Sequence, residues 1–222
     1  MTLSLARWIP LSLALSIGLS GCASTPPSNF YTLAPIPAFE TAAPSKAERE
    51  DRNDRLDEEL AIGLGPLTFP LFLDRPQIVS RASANRLSID ELERWGGTLQ
   101  DDFLRVWSEN LALLTGSSRI LILPSEIRYP LDVRLSAEIL AFEGTAEGQA
   151  ELRVRWSVLE PTLDQVLLAR ESRYQRAIAP PGDTQALLAA LSLTLADFSR
   201  EVAEALRHIL VQREQVGTQS VH

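Results

Sequence analysis

The chain has 222 residues, 45% of them apolar, and carries 29 acidic against 21 basic side chains for a formal charge of −8. A chain of this size can bury a sizeable core as one domain, and its acidity works against direct binding of nucleic acid phosphates or anionic head groups. One cysteine and two histidines leave few ligands for a metal, so neither a catalytic metal nor another cofactor is expected.

At the N-terminus, Arg7 precedes an apolar run from Trp8 to Leu19 that is too short to cross the roughly 30 Å hydrocarbon core of a bilayer as a helix. A positive residue, a short apolar run and small residues together have the form of a signal peptide. The next residues, Leu19-Ser20-Gly21-Cys22, resemble the bacterial lipobox. Small residues there admit the peptidase, and the cysteine thiolate takes the lipid. Residues 1–21 therefore read as a lipoprotein signal peptide and Cys22 as the lipidation site that anchors the chain to a membrane. Acylation also consumes the only thiol, which would otherwise be open to wrong pairing in an oxidising compartment. Ala23 stands where inner-membrane lipoproteins of many enterobacteria-like species carry Asp, and by resemblance this favours the periplasmic face of the outer membrane. Loss of residues 1–21 removes Arg7 and no acid, so the mature chain is one unit more negative.

Residues 22–29, with Pro26 and Pro27, read as a lipidated, extended tether. A single domain is expected over residues 30–213, opening on a strand at Phe30-Tyr31-Thr32-Leu33. Within it, residues 36–59 read as a flexible insertion whose charged part, 46–59, is either solvated or a partner-binding element. Leu60 to Phe69 reads as a strand in which Gly63 and Gly65 mark a bulge, and this Gly-x-Gly lacks the third glycine of a nucleotide loop. Pro76 to Arg81 is a short strand, and Ser88 can cap a brief helix through Asp90, Glu91 and Glu93.

Leu99, Phe103, Val106, Trp107, Asn110 and Leu114 recur at helical spacing and predict an amphipathic helix ending near Gly116. Arg119 to Leu123 reads as a buried strand. Alternation then predicts one strand through Val133, Leu135, Ala137 and Ile139, and a second through Ala150, Leu152, Val154, Trp156 and Val158. Gly144 and Gly148 frame the turn between them, and a third strand runs from Gln165 to Ala177. Such a meander has one apolar face, which something helical must cover. Asp183 caps the candidate, with Leu188, Leu191, Leu195, Phe198, Val202, Ala205 and Ile209 as its stripe, although the same stripe could seam a coiled coil. The expected fold class is α/β (α+β): a mixed, largely antiparallel sheet with two main helices packed on one face, followed by a disordered tail at 214–222.

Catalytic ingredients are scarce. His208 and His222 have no evident second ligand, and no nucleophile elbow, Walker loop or His-Glu-x-x-His occurs. Asp101-Asp102 and Glu58-Glu59 are adjacent in sequence, so on a helix they point roughly 100 degrees apart. An enzyme is not expected, although a carboxylate-dependent glycan hydrolase needs no short motif.

From Pro70 to Arg81, and again at Glu93-Arg94-Trp95, ionic, aromatic and proline residues gather with little periodicity. Here, with Tyr31-Thr32-Leu33, Phe72 to Val79, Arg94-Trp95, Asn110-Leu111, Phe142 and Trp156, the chain resembles the PqiC-type family. These are auxiliary lipoproteins of ABC transport systems that carry MCE-domain proteins. The resemblance extends from about Phe30 to Arg213. Gly96-Gly97-Thr98 departs from the family pattern, and 46–59 looks like an insertion. It implies a non-catalytic outer-membrane lipoprotein subunit of an MCE-type lipid transport system, docking a periplasmic MCE-domain conduit, supporting envelope integrity and assembling as a homo-oligomeric ring. A structural or chaperone-like envelope lipoprotein is the alternative.

The candidate interface comprises Asp74, Arg75, Pro76, Gln77, Arg94 and Trp95. Asp74 and Arg75 could instead pair to fix the turn, with Trp95 buried against it; Arg and Trp are also favoured interface anchors. The lipobox generates the simplest test. Cys22→Ser should leave the protein uncleaved or soluble, as fractionation would show; processed protein recovered with the outer membrane would contradict the lipoprotein reading.

Overall fold

The computed structural model describes residues 26–36, 60–127, 130–162 and 165–219. The signal peptide, Cys22 and the charged stretch 46–59 lie outside the described residues. Among the described residues eight strands form one sheet: β1 (Asn29–Tyr31), β2 (Ala61–Thr68), β3 (Gln77–Ser83), β4 (Arg86–Trp95), β5 (Arg119–Ile122), β6 (Val133–Gly144), β7 (Gln149–Glu160) and β8 (Gln165–Ala177). Two helices, α1 (Leu99–Thr115) and α2 (Thr184–Gln219), cover one face, as the one-sided alternation requires. The second runs on past Arg213, where the sequence places the end of the domain.

Strand β6 is the hub. Antiparallel β7 follows one edge from Arg134↔Leu159 to Gly144↔Ala150, and β8 continues that meander. On its other edge β6 holds parallel β2 along its first half and meets β3 at Ser80↔Gly144. Strand β5 lies parallel outside β2, and β3, β4 and β1 extend as an arm. Val133, Leu135, Ala137 and Ile139 face the helices, and a register shift between Ile139 and Ala141 then reverses the alternation. Phe142 consequently enters the core, and Glu143 falls on the opposite face from it. A second shift, between Leu64 and Leu67 of β2, contains Gly65 at φ 131°. A Cβ at Gly65 would lie 2.9 Å from the Leu123 carbonyl oxygen, so the bulge read from Gly63 and Gly65 has a steric basis.

Helix α1 is capped by Thr98, whose hydroxyl accepts the Asp101 N–H at 3.2 Å, and ends at left-handed Gly116. Asp183 Oδ1 accepts the Ala186 N–H at 2.6 Å to start α2. The helices and sheet meet at an aromatic cluster in which Trp107 stacks on Phe198 at 5.1 Å while Trp156 and Phe103 approach edge-on. All four rings are at most 2% exposed. The apolar stripe of α2 therefore packs on the sheet and on α1.

Two expectations are corrected. Ser88 to Glu93 form no helix: β4 pairs antiparallel with β3 through the two-residue turn Ala84-Asn85 and parallel with β1, and pairing on both edges holds the segment extended. Arg119 to Ile122 is a strand, but it is the sheet edge rather than a buried strand, and Ile122 is 39% exposed.

The helix-free face carries cross-strand ion pairs. Arg155 bridges Glu138 and Glu171 at 2.7 and 3.2 Å, and Arg173 holds Glu151 at 2.8 Å. Such exposed pairs contribute little individually. Arg81–Glu143 differs because the Glu143 side chain is 3% exposed, its Nε–Oε1 distance is 2.5 Å, and the pair reinforces the place where the arm meets β6. Phe72 lies beneath the guanidinium, 5.7 Å from ring centroid to Cζ. Burial raises the Glu143 carboxyl above the usual carboxylate range, against the opposing pull of Arg81. A raised folded pKa stabilises fully below the unfolded pKa, and that contribution is lost as pH rises through the folded value. Arg81→Ala enlarges this loss by leaving a buried carboxylate without its cation. It should cost about 1–2 kcal/mol at about pH 8, since water already reaches part of Arg81, and much less at about pH 4 where the carboxyl is protonated. Urea melts at the two pH values check this, and equal losses would contradict it.

Candidate functional site

The loop leading into β3 is built by Pro70, whose carbonyl accepts the Leu73 N–H at 2.9 Å, and by Leu73, whose carbonyl accepts the Arg75 N–H at 2.9 Å. Leu73 is buried, as are Ile78 and Val79 beyond the loop. Apolar burial thus fixes both ends of the segment and pushes its middle outward. Asp74 and Pro76 are exposed there, and Leu71 is 86% exposed at the tip.

Asp74 and Arg75 are not joined by an ion pair. Arg75 is half-buried, and its Nε is shielded from solvent without a protein acceptor. Gln77 and Arg94 are brought together by a residue absent from the predicted set, Glu91. Its Oε2 accepts Gln77 Nε2 at 2.9 Å, and its backbone oxygen accepts Arg94 Nε at 3.0 Å. Trp95 belongs to the core, at 5% exposure, and its backbone N–H donates to the Pro76 carbonyl at 2.8 Å, closing the loop against β4. The exposed part of the region is therefore Leu71, Asp74 and Pro76, with Arg75, Gln77 and Arg94 half-buried behind it. Leu71 escaped sequence reasoning because no periodicity governs the loop; its only signal was a large apolar residue directly after a proline.

Beside the loop, Asn29 Nδ2 donates to Glu93 Oε1 at 2.8 Å, tying β1 to β4. The Tyr31 hydroxyl is pushed up to about 12, chiefly by hydrogen bonding to Glu93 and then by burial. The segment after β1 is held by both helices. Leu33 N–H donates to Asp102 Oδ2 at 2.6 Å, Ala34 N–H to Ser192 Oγ at 3.1 Å and Ile36 N–H to Asn110 Oδ1 at 2.7 Å. Arg105 returns a bond to the Leu33 carbonyl at 2.9 Å and pairs with Asp102 at 2.6 Å. The Tyr-Thr-Leu signature thus leads directly into the segment whose Ile36 is held by Asn110 of the Asn-Leu signature.

A second concavity, of about 480 Å³, lies between β8 and α2 and includes Leu167, Arg170, Glu201, Glu204 and His208. Its carboxylate Glu201 accepts bonds from the Tyr174 hydroxyl and from Ser172 Oγ, the latter at 3.0 Å, so it links strand to helix. Burial first, then Glu201, raises the Tyr174 hydroxyl above its ordinary value. His208 is exposed, 3.9 Å from Glu204. Among the described residues no group of three or more His, Cys, Asp or Glu side chains could hold a metal ion, and no helix is long and apolar enough to cross a membrane.

This arrangement has known counterparts. Protein XCC0632 from Xanthomonas campestris is 15% identical, with a TM-score of 0.66 over 85% of this chain and 99% of that chain. An uncharacterized protein of known crystal structure is 14% identical, with a TM-score of 0.61 over 82% and 99% of the two chains. At these identities the likeness is one of fold. No curated protein matches the chain. The model of the ABC-type transport auxiliary lipoprotein component family matches residues 31–203, a span that runs from the last residue of the first strand through α1 and the sheet into α2. The chain belongs to the ABC-type transport auxiliary lipoprotein component family.

Proposed function

We propose that the protein is a non-catalytic outer-membrane subunit of an MCE-type ABC lipid transport system, held by lipid on Cys22 and docking a periplasmic MCE-domain conduit while supporting envelope integrity. Family membership over residues 31–203 carries this reading. The lipobox ending at Cys22 and Ala23 after it support outer-membrane attachment. In this reading the protein is a fixed adaptor: lipid holds one end and a surface loop engages the conduit. A homo-oligomeric ring accords with the same resemblance, and the outer edges of β5 and β8, which no described strand pairs, offer backbone groups for further strand pairing.

The docking surface is assigned to the loop Pro70 to Pro76, whose exposed Leu71 and Asp74 are held from behind by buried Leu73 and Trp95. Truncating an interface anchor costs on the order of 2 kcal/mol, roughly a thirtyfold loss of affinity. Trp95→Ala should instead unfold the domain early, by about 3–5 kcal/mol. We therefore expect Leu71→Ala or Asp74→Ala to melt within about two degrees of the parent yet to capture the MCE-domain protein at least tenfold less well. Normal capture by both variants would remove the loop from the interface, and failure of the parent to capture any MCE-domain protein would remove the function.

A further inference from the structure

Phe30 is 67% exposed, although its neighbours on both sides are engaged: Asn29 bonds to Glu93, and Tyr31 packs against the core. Side chains alternate along a strand, so Phe30 points away from the face on which Asn29 and Tyr31 meet Glu93 and Trp95. In the β1–β4 register Phe30 lies level with Arg94. Strand β1 ends the arm of the sheet, and no described strand lies outside it. An exposed aromatic ring beside a partly exposed arginine is a pairing suited to the boundary between water and acyl chains, where the ring enters the apolar layer and the guanidinium stays with the head groups.

The length of chain between Phe30 and Cys22 selects the occupant of this surface. Phe30 stands eight positions after Cys22, and a fully extended chain reaches about 3.3–3.6 Å per residue, so Phe30 lies within roughly 29 Å of an acylated Cys22. A tether of that length keeps the local concentration of membrane at β1 high, so that even a weak contact is occupied. The neighbouring acids Asp90, Glu91 and Glu93 disfavour an anionic surface and leave a zwitterionic one. We propose that Phe30, with Arg94 beside it, is a membrane-contact site that rests the β1 edge on the zwitterionic lipid surface to which Cys22 is attached. The inference rests on the lipoprotein reading above, and it adds an orientation: the outer edge of β1 faces the bilayer, which leaves the loop Pro70 to Pro76 for the conduit.

The test uses the full, processed chain. Cys22 is the only cysteine, so once it is acylated Phe30→Cys supplies a single free thiol for a nitrobenzoxadiazole label. Leu113→Cys, at an apolar position 41% exposed on α1, serves as the comparison. The proteins are reconstituted in vesicles of phosphatidylcholine and phosphatidylethanolamine with and without nitroxide-bearing lipid. Expected is a blue-shifted label at position 30, quenched at least about twofold by the nitroxide, with little quenching at position 113 and little effect of salt. An unquenched label at position 30 in protein that floats with the vesicles overturns the contact, as does equal quenching at both positions. A blue shift without quenching overturns it too, in favour of a protein partner or a second copy. Mass spectrometry of the N-terminal peptide separates the two layers: a chain without acyl groups that stays out of the vesicle fraction overturns the lipoprotein reading and the contact together.

Discussion

Three backbone N–H groups, those of Leu33, Ala34 and Ile36, are satisfied by side chains of the two helices rather than by a strand. A buried backbone donor without a partner is costly, so this short segment stays in place only while Asp102, Ser192 and Asn110 are positioned to receive it. Asn110 carries the greatest constraint. It is 0% exposed, accepts from Ile36 and donates through Nδ2 to Ser199 Oγ at 3.2 Å, so one amide fixes the segment, α1 and α2 to one another. The covering of the sheet depends on that junction, because the apolar face of β6 and β7 is buried only where the helices lie together. Under the proposed lipid attachment at Cys22 the junction also has a mechanical meaning. A pull on the tether reaches the helical layer within a few residues of β1.

The two faces of the sheet do different work. On the helical side Phe198 gathers Trp107, Trp156 and Tyr174 into the centre of the core. On the other side charges pair across strands, and Glu143 and Glu151, which lie opposite one another, are both compensated: Arg81 and Arg173 each take one. Arg81 brings with it Phe72, so the first residue of the family's signature segment is packed against the ion pair that joins the arm to β6. Resemblance to the family in that segment therefore need not mean that each residue meets a partner protein; Leu73, Ile78 and Val79 are there to be buried.

Strong periodicity made much of this legible from residues alone. The alternation in β6 and β7, the glycines framing their turn and the stripes of α1 and α2 all reported burial directly, and burial on one side of a sheet demands a cover. Strand β4 was illegible for the opposite reason: Ser88 to Trp95 has caps and acids suited to a helix, and only pairing with β3 and β1, distant from any local signal, decides it. The register shift after Ile139 was equally hidden, since nothing in Leu140-Ala141-Phe142 announces which residue is skipped. In the candidate site the grouping of Gln77 with Arg94 was anticipated while their common partner Glu91 was missed, and Trp95, read as either anchor or core, sits in the core. Glu91 gave no warning because it resembles any solvated acid until β4 is placed beside β3.

On the proposed reading the protein is an adaptor whose lipid end is coupled tightly to its folded body, through the short segment after β1 that both helices hold. Native-state hydrogen exchange on the full chain tests that coupling most directly. The amides of Leu33 and Ile36 should exchange as slowly as those in the middle of α1, and in Asn110→Ala the Ile36 amide should lose at least tenfold of that protection. Exchange of both amides in the parent at the rate of an unstructured peptide would contradict the coupling and leave the domain free at the end of its tether.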